Sequence, residues 1–180
     1  MIGIIIGIAS VIALIGLGNG LRAAILGQFG GISVDVINIQ AGGVNFAGPP
    51  GAFVVNPLKQ HYIEDIERIS YIDFAAGRVI ESVRMEFNNR QRILSVLSMP
   101  DGYVRGELER LASLEVESGR LLRDGDRYSV VLGNNYNTRE NRFGRAINVG
   151  NNIRINDRVF EVVGILEKVG SFIFDGAILM

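Results

Sequence analysis

Hydrophobic and polar positions divide this chain at one point. Residues 1–21, MIGIIIGIASVIALIGLGNGL, are almost continuously apolar and carry no charge, and Arg22 is the first ionisable side chain. A helix of about 20 such residues matches a hydrocarbon core of roughly 30 Å, so the pattern predicts a membrane helix and its stem over residues 1–29. From residue 30 onward short apolar runs alternate with charged and turn-forming positions, as in a water-exposed folded domain spanning residues 30–180. A cleaved leader fits the first segment poorly. It lacks a basic flank, its apolar run is longer than a typical leader core, and no clear cleavage site follows Arg22.

Within the second part the period changes several times. The stretch from Ile32 to Gln40 is β-branched and largely alternating, which predicts a strand. Residues 41–51 are rich in Gly and Pro and read as a loop. Asn56 is a good N-cap and Pro57 suits a first helical position. The stripe Leu58, Tyr62, Ile66 and Ile69 then predicts an amphipathic helix, with Glu64 and Arg68 as an i,i+4 pair. Val79, Val83, Met85 and Phe87 alternate with polar residues up to Asn88-Asn89, and a return strand runs from Arg90 to Ser98. This is a hairpin, because asparagine tolerates the positive φ of a tight turn. Residues 101–112 predict a short helix, Tyr128 to Leu132 a buried strand, and Asn134 to Arg142 a helical turn or two. A second hairpin is predicted around Asn156-Asp157, from Asn152 to Leu166, and a last strand over Asp175 to Met180. Strands and helices in mixed order predict an α+β class.

Composition removes more functions than it suggests. The chain has 180 residues with net charge −1, so no basic excess points to nucleic acid. It has no cysteine, which excludes disulfides, thiolate metal sites and thiol chemistry. The single histidine, His61, lies among Lys59, Gln60 and Glu64 on the polar side of its predicted helix, with no second histidine as a partner. Glu64, Asp65 and Glu67 are interleaved with Lys59 and Arg68 and read as a solvated face. Asp124-Gly125-Asp126 lacks the later ligands of a calcium loop and reads as a turn. Gly133-Asn134-Asn135 has neither G-x-G-x-x-G nor a Gly-Lys-Ser/Thr sequence. No catalytic, cofactor-binding or metal-binding residues are expected, and the residues alone describe a membrane-anchored interaction domain that is not an enzyme.

One pattern in the apolar segment points to a partner. Gly3, Gly7 and Ser10 fall at i, i+4 and i+7, and Gly16 with Gly20 repeats the spacing on another face. Small residues let helix backbones approach, so the Gly3/Gly7/Ser10 face is the candidate for packing on another membrane helix; glycine is also simply common in such helices. Arg22 is the only basic flank, and by the positive-inside rule it would draw the folded domain into the cytoplasm.

Several stretches occur in a telling order. Gly3-Ile4-Ile5-Ile6-Gly7-Ile8-Ala9-Ser10-Val11 is followed by Leu17-Gly18-Asn19-Gly20-Leu21, then by Ile37-Asn38-Ile39 with its Gly-rich turn. Leu58 through Ile69, Gly77-Arg78-Val79 and Leu114-Glu115-Val116-Glu117-Ser118-Gly119-Arg120 come next. Val130-Val131-Leu132-Gly133, Gly144 through Gly150, Phe160 through Leu166 and Ala177-Ile178-Leu179-Met180 complete the series. Each is short, but the ordered set resembles the N-terminal part of a MacB-type ABC transporter permease: its first transmembrane helix plus the periplasmic core domain, ahead of an FtsX-like membrane region.

That resemblance implies an extracytoplasmic domain on an inner-membrane protein, against the vote of Arg22. It implies a domain of two lobes, with an inserted lobe at about residues 100–150. It also implies a cytoplasmic ABC ATPase on a separate subunit or domain, a second permease subunit in a homodimer, an extracytoplasmic adaptor, and mechanotransmission that couples ATP hydrolysis to efflux or other work outside the membrane. The family's basic flank before the first span and its three later spans are missing, so the chain reads as a permease fragment. Two readings from other classes stand beside this one. A pilin-like fibre subunit also has an apolar N-terminal helix, but it needs a basic leader, a processing site and normally a Glu early in that helix, and residues 1–21 contain no Glu. A bitopic ligand-sensing domain would need a pocket that the sequence does not reveal.

Overall fold

The structure is a computed structural model that describes residues 2–28, 36–39, 41, 58–170 and 172–180. The apolar run forms one helix, α1 (Ile2–Gln28). It passes Arg22 without a break, because no proline or β-branched cluster interrupts the segment around Ala23-Ala24. At 1.5 Å per residue a helix of 27 residues is about 40 Å long, more than a hydrocarbon core requires. Every side chain described on it, from Gly3 to Arg22, is exposed.

The rest is built around one sheet. Among the described residues its strands are β1 (Ile80–Phe87), β2 (Arg90–Leu97), β3 (Val116–Gly119), β4 (Ser129–Leu132), β5 (Asn152–Ile155), β6 (Arg158–Leu166) and β7 (Ile178–Leu179). The order is β3-β6-β4-β7-β2-β1-β5, and β5 also pairs with β6, so β6, β4, β7, β2, β1 and β5 close into a ring. The long β6 makes closure possible. One of its edges pairs with β4, while the other holds β5 in its first half and β3 in its second. Both predicted hairpins form with their predicted turns, Asn88 and Asn89 at φ 51° and 56°, and Asn156 and Asp157 at 44° and 68°. Asparagine and aspartate carry these left-handed positions because a short polar side chain pays little there.

Alternation along the strands sorts apolar side chains into two clusters. Val83, Met85, Val130, Ile153, Phe160 and Ile178 face one way, into a core drawn from every strand of the ring. Leu97, Val131, Val163, Leu166 and Leu179 face the other way and are covered by Leu114, Val116, Leu121 and Leu122 around β3. Phe143, from the loop after β4, is fully buried inside the ring and meets Phe87 edge-on at 6.3 Å between centroids.

Three elements depart from the pattern. The helix predicted from Pro57 is α2 (His61–Glu67), and Leu58 to Gln60 precede it without helical structure. Arg68 ends this helix and pairs with Asp65 at 3.7 Å instead of Glu64, because the next residues leave the helical path that an i,i+4 pair requires. The final strand is only β7, preceded by a short helix α4 (Phe172–Asp175), and β3, which the apolar pattern does not predict, pairs with β6. After β4 a single 3-10 turn, Asn134–Asn137, replaces a longer helix. The helix predicted over 101–112 is α3 (Tyr103–Leu111). Of the strand expected from Ile32, residues 36–39 are described and have no strand pairing; the rest of that strand, most of the Gly/Pro-rich loop, Asn56 and Pro57 lie outside the described residues. The stretch from about 100 to 150, where an inserted lobe is expected, supplies β3 and β4 to the same sheet as the hairpins on either side.

Candidate functional site

The structure brings Gly3, Gly7 and Ser10 onto one face of α1, as their spacing requires. A Cβ added at Gly3 or Gly7 would meet nothing within 4 Å, and the same holds at Gly16, Gly18 and Gly20. The face is therefore open, with room for another backbone to approach. His61 is exposed and lies 4.2 Å from the ring of Tyr62 between centroids. Among the described residues, no three His, Asp or Glu side chains converge on a metal-sized site.

The motif residues of the domain do architectural work. Gly119, at φ 80°, lies where a Cβ would strike the carbonyl oxygen of Val163, and a Cβ on Gly164 would strike the carbonyl oxygen of Arg120. These two glycines let β3 and β6 cross in close contact, and Arg120 N donates to Val163 O at 2.9 Å beside them. Gly133 faces the carbonyls of Phe174 and Asp175 in the same way, and its N–H donates to Ala177 O at 2.8 Å. Asn141 ties the loop that carries Phe143: its Nδ2 donates to the carbonyls of Tyr136 and Arg145 at 2.7 and 2.8 Å, and its Oδ1 accepts from Phe143 N at 2.9 Å. The Tyr136 hydroxyl donates to Gly176 O at 3.1 Å, and burial pushes its pKa up to about 12.

Two ionic groupings brace the segment from α3 to β4. Arg120 reaches Asp126 with both terminal nitrogens, at 2.5 and 3.1 Å, and that bond holds the Asp126 carboxyl below its ordinary range. Arg105 sits among Asp124, Asp101 and Glu109 and joins α3 to the turn after β3. Asp124 is held low first by the N–H of Gly102, then by Arg105. Glu109 is raised by partial burial, against the pull of Arg105. Arg78 donates to Ser98 O and Met99 Sδ, both at 3.2 Å, and burial draws its pKa down. Sequence reasoning missed these groups. Asp124 and Asp126 were legible only as turn residues, because Arg105 reaches Asp124 from α3 and Arg120 meets Asp126 only once the loop after β3 folds back.

Two shallow clefts stand out among the described residues. One is lined by Glu86, Asn88, Asn89, Arg145, Asn152 and Arg154 at the tip of the β1–β2 hairpin. The other lies beside the C-terminal end of α3 and includes Glu109, Arg110 and Leu121.

Comparison with known proteins agrees with this architecture. The family model described as the MacB-like periplasmic core domain matches residues 1–180. An uncharacterized ABC transporter permease of Methanocaldococcus jannaschii is 29% identical over 183 residues, covering 100% of this chain and 43% of that protein. The uncharacterized ABC transporter permease YknZ of Bacillus subtilis is 27% identical, covering 97% of this chain and 44% of its own length. The macrolide export ATP-binding/permease protein MacB 2 of Aeromonas hydrophila is 23% identical, covering 96% of this chain and 26% of that protein. The chain thus spans less than half the length of these relatives. Among solved structures, the extracellular domain of the noncanonic ABC-type transporter YknZ superposes with a TM-score of 0.50 at 15% identity, over 68% of this chain and 61% of that domain.

Proposed function

The chain belongs to the MacB-like periplasmic core domain family, and from that premise we propose that it forms the first membrane helix and extracytoplasmic domain of an ABC permease that carries the effect of cytoplasmic ATP hydrolysis across the membrane. The observation that carries this reading is α1, which continues as one helix from the apolar run past Arg22 to Gln28. A helix that does not break at the membrane surface can pass displacement into the domain beyond it, where a flexible linker would absorb the motion. Residues 1–29 are then the membrane helix and stem, and residues 30–180 the extracytoplasmic part, with the inserted lobe at about residues 100–150. The chain would sit in the inner membrane as one of two identical permease subunits. It would work with a separate cytoplasmic ATPase and an extracytoplasmic adaptor. Efflux, the work named for the Aeromonas relative, is the output this reading favours. The Gly3/Gly7/Ser10 face would pack on a neighbouring membrane helix, and chemistry would reside in the ATPase.

The stem provides the test. In the complete permease with its ATPase, replacing Ala23-Ala24 by Gly-Gly lowers helix stability by about 2 kcal/mol. Export should fall at least fivefold while nucleotide binding by the ATPase stays unchanged. Undiminished export would overturn the coupling role. Protease added to intact cells should cleave loops of the domain, and protection until lysis would place it in the cytoplasm.

A further inference from the structure

The ring of strands has an incomplete seam. β2 pairs with β1 over its full length, Arg90 to Leu97, but with β7 only through Val96 and Leu97. Ser98 N donates to Val79 O and Met180 N donates to Leu97 O, which sets the direction of each backbone group along β2. The N–H and C=O of residues 90, 92, 94 and 96 face β1, and those of 91, 93, 95 and 97 face away. Arg92 Nη1 donates to the Gln91 carbonyl at 2.8 Å. Among the described residues no strand pairs with the outer edge from Gln91 to Ile93 or with the N–H of Ser95; the Ser95 carbonyl already belongs to the β7 pairing.

The side chains on that edge are not those of a merely solvated strand. Ile93 is 75% exposed on the outer face. Arg90 and Arg92 stand opposite Phe87 and Met85 and so share the inner face at the mouth of the ring. The Arg90 guanidinium lies over Gly144, with Nη1 2.6 Å from where a Cβ would be. Arg145 lines the cleft next to this tip. Among the described residues none of Arg90, Arg92 and Arg145 has a carboxylate within ion-pairing distance, whereas Arg84, Arg105 and Arg120 all do.

We propose that the outer edge of β2 is a docking site for an extended acidic segment of a partner protein, which adds as a strand beside Gln91–Ser95. The N–H and C=O of Ile93 and the N–H of Ser95 supply main-chain hydrogen bonds, while the Ser95 carbonyl is taken by β7 through the Val96–Ile178 pairing. Ile93 offers apolar contact on one face, and Arg90 with Arg92 select carboxylates on the other. The pattern recognised is therefore an alternation of acidic and apolar residues. This inference rests on the edge itself and not on the coupling role of α1: the Gly-Gly stem variant should leave it intact.

The test uses the full chain in nanodiscs of neutral lipid and a fluorescein-labelled ten-residue peptide of alternating Glu and Val. Anisotropy should show saturable binding, and a Lys–Val peptide should not bind. Hydrogen exchange at the Ile93 amide should slow on addition of the acidic peptide. Ile93→Pro removes an outward N–H without touching the bonds to β1 and should abolish binding. Arg90→Gln with Arg92→Gln changes only exposed side chains and should weaken binding at least tenfold with an unchanged melting temperature; it decides the matter if the proline variant does not fold. No saturable binding would mean that the arginines only guard the edge against self-association, and would overturn the proposal. So would unaltered exchange at Ile93, undiminished binding by the Gln variant, or tighter binding to anionic vesicles than to the peptide.

Discussion

Glycine is used in opposite ways in the two parts of this molecule. On α1, Gly3, Gly7, Gly16, Gly18 and Gly20 all face open space. In the domain, Gly119, Gly133 and Gly164 face backbone carbonyls that leave no room for a methyl group. In the helix a glycine is a vacancy open to lipid or to another helix; between β3 and β6 it is a vacancy already filled. The first kind can be altered without harm to the isolated fold, and the second cannot. The same contrast holds for apolar residues. Those of α1 are exposed and suited to lipid or a helix partner, while those of the strands alternate into two buried clusters.

The largest effect that sharpens this contrast is at Gly164. A side chain there must displace the Arg120 backbone, which has no flexible end to yield, so Gly164→Val should prevent the domain from folding and Gly164→Ala should cost at least about 3 kcal/mol. Far-UV circular dichroism and thermal melting of the purified chain check this, and a near-normal melt for Gly164→Ala would show that the strands can separate without penalty. Next comes Met85→Ala, which empties a fully buried position between β1 and β5. It should destabilise the domain by about 2–5 kcal/mol in urea denaturation.

Smaller is the effect of Asp126. Its folded pKa lies below the ordinary value of 3.8, held there by Arg120. The stability it contributes is complete above that value and fades as pH falls through the lower folded one. Melting temperatures measured from about pH 6 to about pH 2 should fall less steeply for Asp126→Asn than for the parent chain, while the variant is the weaker of the two at neutral pH. Equal slopes would assign the acid sensitivity to other carboxylates. Smallest in the fold is Gly7→Leu on α1, where an added Cβ has nothing within 4 Å among the described residues. It should shift domain stability by less than about 0.5 kcal/mol. In the complete permease, however, it should reduce export by blocking close helix packing. Full export would turn that face toward lipid.

Much of the local structure was legible because it rests on local rules. A charge-free run of this length becomes a helix wherever a membrane or a nonpolar solvent receives it, and the period of apolar residues marked both hairpins and both turns, since Asn88-Asn89 and Asn156-Asp157 tolerate positive φ. The ordered motifs were sufficient to identify the family. Three things depended on partners distant in sequence. β3 has no local signal of its own, because Val116 to Gly119 acquire strand pairing from β6, far along the chain. The ring closes only because β5 meets β1 as well as β6, and no local signal encodes a second edge contact. The open edge of β2 follows from where β7 stops along it, and Arg105 meets Asp124 from 19 residues away. Sequence by itself determined which segments are helix, strand and turn, and which face of each is apolar, because those choices cost or gain free energy within a few residues. Tertiary structure alone decided which edges pair, which glycines touch a carbonyl and which arginines lack a carboxylate, because each depends on where distant strands come to rest.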